Sequence, residues 1–296
     1  MSELFNRDFA LKVGAWALET RKKGVPVLED GLCETTLDVE FDITKTSAKE
    51  PDAATITIYN LNEVNRAILA KCGDKKSPTV LPLSVEAGYV GSRDLIFLGD
   101  IDMAPSSRSG VDWVTKIEAS DGGNSYRSKR FQKSYGRNTS IVQILKDLVT
   151  AYGIGPGNLF DAIIANPRGL RVYYNGIVVS GRISEQLDRF LCSAGFTWSI
   201  QNRQLQVLHP GKPNHETAVL LNQGSGLIGT PEIGEKGVVS ATALLQGSIR
   251  PGRRVVIKSS TADGIFVVDQ ANYKGATGGN DWYVNFSGKP EVTKAA

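Results

Sequence analysis

The chain has 296 residues, 41% of them hydrophobic and 22% charged, with 31 glycines and a formal net charge of only +3. This is the balance of a globular protein of roughly two domains, with no overall electrostatic pull toward nucleic acid. Three scattered cysteines, Cys33, Cys72 and Cys192, fit neither a disulfide framework nor a zinc-ligand pattern, and no stretch approaches the ~18 apolar residues of a membrane helix.

The N-terminus, MSELFNRDFALKVG, lacks the long apolar core of a signal peptide, so synthesis in the host cytoplasm is expected. Cys33 to Ile43 alternates, with Leu37, Val39, Phe41 and Ile43 on one face and Asp38, Glu40 and Asp42 on the other. Such period-two alternation predicts a half-buried strand. Ala54 to Leu61 repeats the pattern. Asn62 then reads as the N-cap of a short helix, with Glu63 in its first turn and Gly73 past its end. Strands are predicted at Leu81–Tyr89, Asp94–Met103 and Asp112–Ala119, with turns at Gly91-Ser92 and Pro105–Gly110. Several short strands joined by turns suggest an antiparallel barrel or sandwich.

The middle of the chain changes character. Ser140 and Gln143 fit a capping box before the apolar stripe Ile141, Ile144, Leu145 and Leu148, and Gly153 and Pro156 stop that helix. A second helix carries Ile183, Leu187, Phe190 and Leu191 and ends at Gly195. Phe196, Trp198 and Ile200 alternate, Gln201–Gln204 turns, and Leu205 and Val207 return as a hairpin. The tail is strand-rich again at Val238–Leu245, Arg254–Ser259, Ile265–Gln270 and Trp282–Phe286.

An internal repeat stands out. Asp94–Asp100 is similar to Asp263–Asp269, and Asp112-Trp113 to Asp281-Trp282, at one offset of 169 residues (263 − 94 and 282 − 113). Upstream, Leu81–Tyr89 and Arg250–Lys258 are both strand-like at that offset. Two copies of one β unit flanking an α+β section would produce it.

Candidate chemistry is sparse. His209 and His215 share a loop with Pro and Gly and lack the convergent ligands of a metal site. A nucleophile elbow and a phosphate-binding glycine loop are both absent. Asp100 and Asp102 would share one strand face, which is also common on solvated strands. No cofactor is expected. The interaction candidates are Arg127, Lys129, Arg130, Lys133 and Arg137, interleaved with Tyr126, Phe131 and Tyr135. This pattern could contact phosphates and stack bases, or it is a solvated or partner-facing strand between two domains. A second basic group, Arg250, Arg253, Arg254 and Lys258, opens the last β unit and reads as a protein contact.

The order of elements resembles a known family. Ile56-Thr57-Ile58-Tyr59-Asn60-Leu61-Asn62-Glu63 precedes a short helix, and Phe97-Leu98-Gly99-Asp100 precedes a turn. Ser140–Tyr152, Ile183–Phe196 with Trp198, Ser248-Ile249-Arg250-Pro251-Gly252 and Gly279-Asn280-Asp281-Trp282-Tyr283 follow in sequence. Together they look like the baseplate hub family of contractile-tailed phages, which is similar to the phage late control protein D family. The resemblance implies a mainly β fold with an α+β insertion. Two tube-like antiparallel β-barrel domains, 1–125 and 231–296, would flank a small α+β section at 126–230.

It also implies a structural protein of the virion tail and not an enzyme. A homotrimer would form a pseudo-sixfold ring joining the tail tube protein to the central spike protein. Baseplate wedge proteins and the tape measure protein are further expected partners, and DNA would pass through the lumen without specific binding. Asp38, Glu40 and Asp42 are candidates for the lumen wall or for ordinary solvent exposure. The chain stops at Ala296 without the large C-terminal extension usual in hubs of long flexible tails, so the contractile type is expected. The alternative is a tail-associated cell-wall hydrolase or carbohydrate-binding β protein. Against it, the four tryptophans Trp16, Trp113, Trp198 and Trp282 are dispersed rather than clustered.

Overall fold

The computed structural model describes residues 7–14, 16–19, 37–72, 80–122, 129–165, 171–209, 212–214 and 216–291. The first region is built from β1 (Arg7–Val13), β2 (Trp16–Glu19), β3 (Val39–Thr46), β4 (Ala53–Tyr59), α1 (Glu63–Leu69), β5 (Pro82–Tyr89), β6 (Ser92–Met103), β7 (Ser106–Ser109) and β8 (Asp112–Ser120). Alternation in β3 and β4 buries Val39, Phe41, Ile43, Ala54, Ile56 and Ile58, as period two requires. Asn62 caps α1, its side chain accepting from the Asn65 amide at 2.7 Å. Gly73 lies outside the described residues.

The middle region holds β9 (Arg130–Tyr135), β10 (Thr139–Ser140), α2 (Ile141–Tyr152), α3 (Leu159–Ile164), β11 (Val172–Tyr173), β12 (Ile177–Arg182), α4 (Ile183–Ser193), β13 (Thr197–Gln201) and β14 (Gln204–Leu208). The Gln143 amide donates to Ser140 Oγ, and Gly153 ends α2 at φ 80°, a left-handed conformation glycine adopts without a Cβ clash. In the β13–β14 hairpin both turn residues, Asn202 and Arg203, take positive φ (52° and 58°). That is the backbone of a primed turn matching the strands' twist. The last region contains β15 (Val219–Leu221), β16 (Leu227–Ile233), β17 (Val239–Leu244), β18 (Arg254–Lys258), β19 (Asp263–Ala276) and β20 (Trp282–Pro290).

The first and last regions form one 14-stranded sheet, and its topology displays the repeat. In the first half the order is β3-β4-β8-β6-β5-β1; in the second it is β16-β17-β20-β19-β18-β15. The registers of the first three strands in each order agree as well. Asp42 faces Thr55, which faces Glu118, whereas Glu232 faces Ser240, which faces Ser287, and 287 − 118 is again 169. Ile43–Ala54–Ala119 and Ile233–Val239–Gly288 match at the same offset.

The fold is mainly β and antiparallel with an α+β insertion, as read from the sequence; barrel closure is the part not met. Among the described residues the strand path stays open, because β19 of the second half pairs with β3 of the first instead of returning to its own edge. A second correction concerns Pro105–Gly110. Ser106–Ser109 is a strand paired to β8, and the chain reverses between Ser109 and Asp112.

Two apolar cores result. One runs unbroken through both β halves, from Phe9, Leu11 and Phe41 to Tyr273, Val284 and Phe286. The other belongs to the middle region, where α2, α3 and α4 close over the β13–β14 hairpin and bury Leu148, Leu187, Phe190 and Trp198.

Candidate assembly surfaces

The five basic candidates separate once placed. Arg127 lies outside the described residues. The Lys129 ammonium donates to the Tyr152 carbonyl at 2.5 Å, neutralising the negative C-terminal end of α2. Lys133 bridges Asp147 of the same helix at 2.7 Å, and the Tyr135 hydroxyl donates to the same carboxylate oxygen at 2.8 Å. Asp147 is held below the ordinary carboxylate range: these hydrogen bonds outweigh the opposing pull of desolvation. Lys129 and Lys133 thus fasten β9 to α2. Arg130 and Arg137 are exposed, and Arg130 sits directly across from Arg182 of β12 on an open ribbon.

The three arginines of the second basic group are spent inside the chain, and Lys258 is exposed. Arg250 and Arg253 both pair with Glu216, the latter at 3.2 Å, and Arg254 grips Glu291 through two nitrogens at 2.9 and 2.6 Å. The strand-borne acids are also engaged. Asp42 accepts from Asn272 at 2.5 Å and meets Lys274 at 3.2 Å, and Glu40 accepts the Tyr59 hydroxyl at 3.3 Å. Asp38 is exposed.

A buried polar seat, missed at the sequence level, anchors the middle region. The tip of the β13–β14 hairpin enters the sheet where Lys45, Asp52 and Asp121 are all nearly inaccessible. Lys45 donates to Asn202 Oδ1 at 2.6 Å and faces Asp52 at 3.9 Å. Both Asp121 oxygens accept the Arg203 amide at 3.1 Å, Gln201 donates to the Thr46 carbonyl at 2.9 Å, and Arg203 pairs with Asp100. Burial pushes Asp52 up to about 7 and Asp121 to about 6, and it lowers Lys45 from its usual range. One signal was present in the sequence: Lys45 occupies the inward position after Val39, Phe41 and Ile43, where only a partnered charge is tolerated.

Little here resembles a catalytic centre. Asp100 is bound to Arg203, and Asp102 accepts the Ser120 hydroxyl at 2.6 Å. His209 packs on Phe196 with ring centroids 4.5 Å apart, and His215 lies outside the described residues. No grouping of three or more metal-ligating side chains occurs among the described residues. Among them, too, no helix is long and apolar enough to cross a membrane. Trp16, Trp198 and Trp282 are buried in the cores and do not gather on a concave face.

What the described residues offer is a long sheet with open edges and a polar face carrying paired charges, with a helical section set on it. The baseplate hub gp41 family profile matches residues 21–288. The chain belongs to that family. It is accordingly a structural component of a phage tail baseplate. No curated protein matches this hub protein in sequence.

Solved structures share its fold at very low identity. The prophage MuSo2 43 kDa tail protein from Shewanella oneidensis superposes with a TM-score of 0.59 at 10% identity, covering 97% of this chain and 98% of that one. A tail protein from Neisseria meningitidis MC58 gives 0.60 at 9% identity, covering 97% of each. An E. coli type VI secretion system component, described as structurally similar to the T4 bacteriophage tail proteins gp27 and gp5, gives 0.55 at 11% identity. That match covers 96% of this chain and 77% of the other.

Proposed function

We propose that this hub forms a homotrimeric ring joining the sixfold tail tube to a threefold central spike, each copy contributing two of six quasi-equivalent β units. The observation that carries this reading is the strand order written twice in one chain, with matching registers along β3-β4-β8 and β16-β17-β20 and a direct β19–β3 joint between the copies. Residues 1–125 and 231–296 are the ring units in this scheme, and 126–230 is a peripheral section that meets neighbouring baseplate proteins. The exposed Arg130 and Arg137 belong to that contact surface.

The channel wall is the polar face of the sheet. There Asp42 pairs with Lys274 at 3.2 Å and Glu118 with Lys116 at 2.8 Å. Passing DNA therefore meets few uncompensated cations, and phosphate contacts strong enough to arrest sliding do not form. The tape measure protein would occupy the same channel before ejection. The test is the solution mass by light scattering, for the chain alone and mixed with the spike of the same tail. Three times the monomer mass in either condition is expected. A chain that stays monomeric in both and binds or cleaves peptidoglycan overturns the reading.

A further inference from the structure

The repeat pairs two tryptophans whose surroundings differ. Trp282 is 4% exposed: the Phe41 ring of β3 meets it edge-on at 5.5 Å, and its indole N–H donates to the Gly88 carbonyl at 3.1 Å. Its mate Trp113, 169 residues earlier, is 38% exposed, with the Arg66 guanidinium 4.0 Å from its ring centroid. The side chain covering Trp282 comes from across the joint, where Tyr273, Lys274, Gly275 and Ala276 of β19 face Ile43, Asp42, Phe41 and Glu40 of β3.

Each side of that joint has a counterpart left open. Gly275 lies opposite Trp282 and Arg108 lies opposite Trp113, so β7 stands to the first half as the end of β19 stands to the second. On the other side, β16 is the mate of β3, with Ile233 in the place of Ile43, Glu232 in that of Asp42, and the bulge containing Pro231 in that of Phe41. Among the described residues, β7 pairs with β8 alone and β16 with β17 alone. Ile43 is fully buried at the internal joint, whereas Ile233 is 51% exposed.

Side-chain volumes also complement one another. At the internal joint a glycine is required, since a Cβ on Gly275 would lie 2.2 Å from Phe41 Cζ. At the counterpart positions the sizes are exchanged. Arg108 replaces the glycine, and the compact Pro231 replaces the phenylalanine.

We propose that β16 of one copy pairs antiparallel with β7 of a second copy, Glu232 opposite Ser107 and Ile233 opposite Ser106, repeating between subunits the β19–β3 joint within each. Ile233 of one copy then covers Trp113 of the next. This inference rests on the ring reading and names its contact. Such pairing leaves neither edge exposed, and the same operation carried through three copies closes.

The test is the full-length chain carrying both Ser107→Cys and Glu232→Cys, with each single variant as control. Positions directly opposite in an antiparallel pair lie within disulfide reach. Mild oxidation of the double variant is expected to give a covalent trimer on a non-reducing gel, and neither single variant gives one. Trp113 emission should shift to shorter wavelength on assembly, and Trp113→Phe removes that shift. Ile233→Arg, at an exposed position, should weaken assembly at least tenfold while the circular dichroism of the monomer is unchanged. A trimer that forms without the cross-link, or with Trp113 still solvent-exposed, overturns the strand pairing and leaves the ring standing. A chain that never exceeds monomer mass overturns both.

Discussion

The two β halves and the middle region are held to the molecule by different forces. Across the β19–β3 joint the halves share one apolar core, in which Phe9 stacks on Phe41 at 5.5 Å and Phe41 meets Trp282. The middle region owns a separate core and reaches the sheet through a hairpin tip whose contacts are hydrogen bonds and charges. Apolar burial is insensitive to pH and direction. A buried polar seat demands fixed geometry and responds to protonation. The contrast teaches that the halves are committed to each other while the middle section is seated on them.

The largest effect is expected from Phe41→Ala, which empties the joint. A loss of about 3–5 kcal/mol in urea unfolding is expected, with both halves losing structure together. A loss below ~1 kcal/mol would mean that the halves are not energetically one body. Next in size is Leu187→Ala, fully buried in the second core, with an expected cost of about 2–4 kcal/mol. Its signature should be an early, separate transition in which helical ellipticity falls and the strand signal persists. A single shifted transition would instead show the two cores to be coupled.

The polar seat gives a smaller, pH-dependent effect. Asp52 and Asp121 have folded-state values raised to about 7 and about 6 by burial, above the ~4 of an unfolded aspartate. Between those limits the native state binds more protons than the unfolded one, so stability falls as pH rises from about 4 to about 7. Lys45 is shifted the opposite way, and its effect falls at higher pH, where stability rises toward the usual lysine range. Asp121→Asn should reduce the slope between about 4 and 6 to the part that Asp52 carries, and cost roughly 1–3 kcal/mol, from weaker acceptance of the Arg203 amide. Thermal melts across that pH range read both quantities, and an unchanged slope would discard the seat as a titrating element. The smallest effect expected is that of Lys133→Met. Its half-exposed pair with Asp147 is worth under about 1 kcal/mol, so a melting temperature lowered by more than a few degrees would contradict its peripheral status.

Local features were legible because their causes are local. Ser140 caps α2 and Asn62 caps α1 as the sequence implies, and the alternation of β3 places every apolar residue inward. The offset of 169 residues identified β6 with β19 and β8 with β20, each time through a strand bearing the same Asp–Trp or apolar pattern. The β19–β3 joint escaped. Its partners lie about 230 residues apart, and the complementarity between the strands (Gly275 leaving room for Phe41, Lys274 and Asn272 meeting Asp42) shows only once they are paired. The strands alone left barrel and sandwich open and the family resemblance supplied the barrels; closure is not met because an edge can pair with the other copy as readily as with its own. Among the candidate site residues, charge signalled Lys129 and Lys133 but not their direction. Both turn toward α2, which only the packing of β9 determines.

Strand β19 runs for 14 residues and takes β18, β20 and β3 as neighbours along its length. Mechanically it is a tie rod. A pull along the strand axis loads the seven β19–β3 residue pairs, from Gln270–Thr46 to Ala276–Glu40, in parallel shear, so they must fail together. A pull across the axis would open them one at a time. The protein is therefore stiff in one direction and peelable in the other, and the direction of β19 marks the axis along which load can pass between its halves.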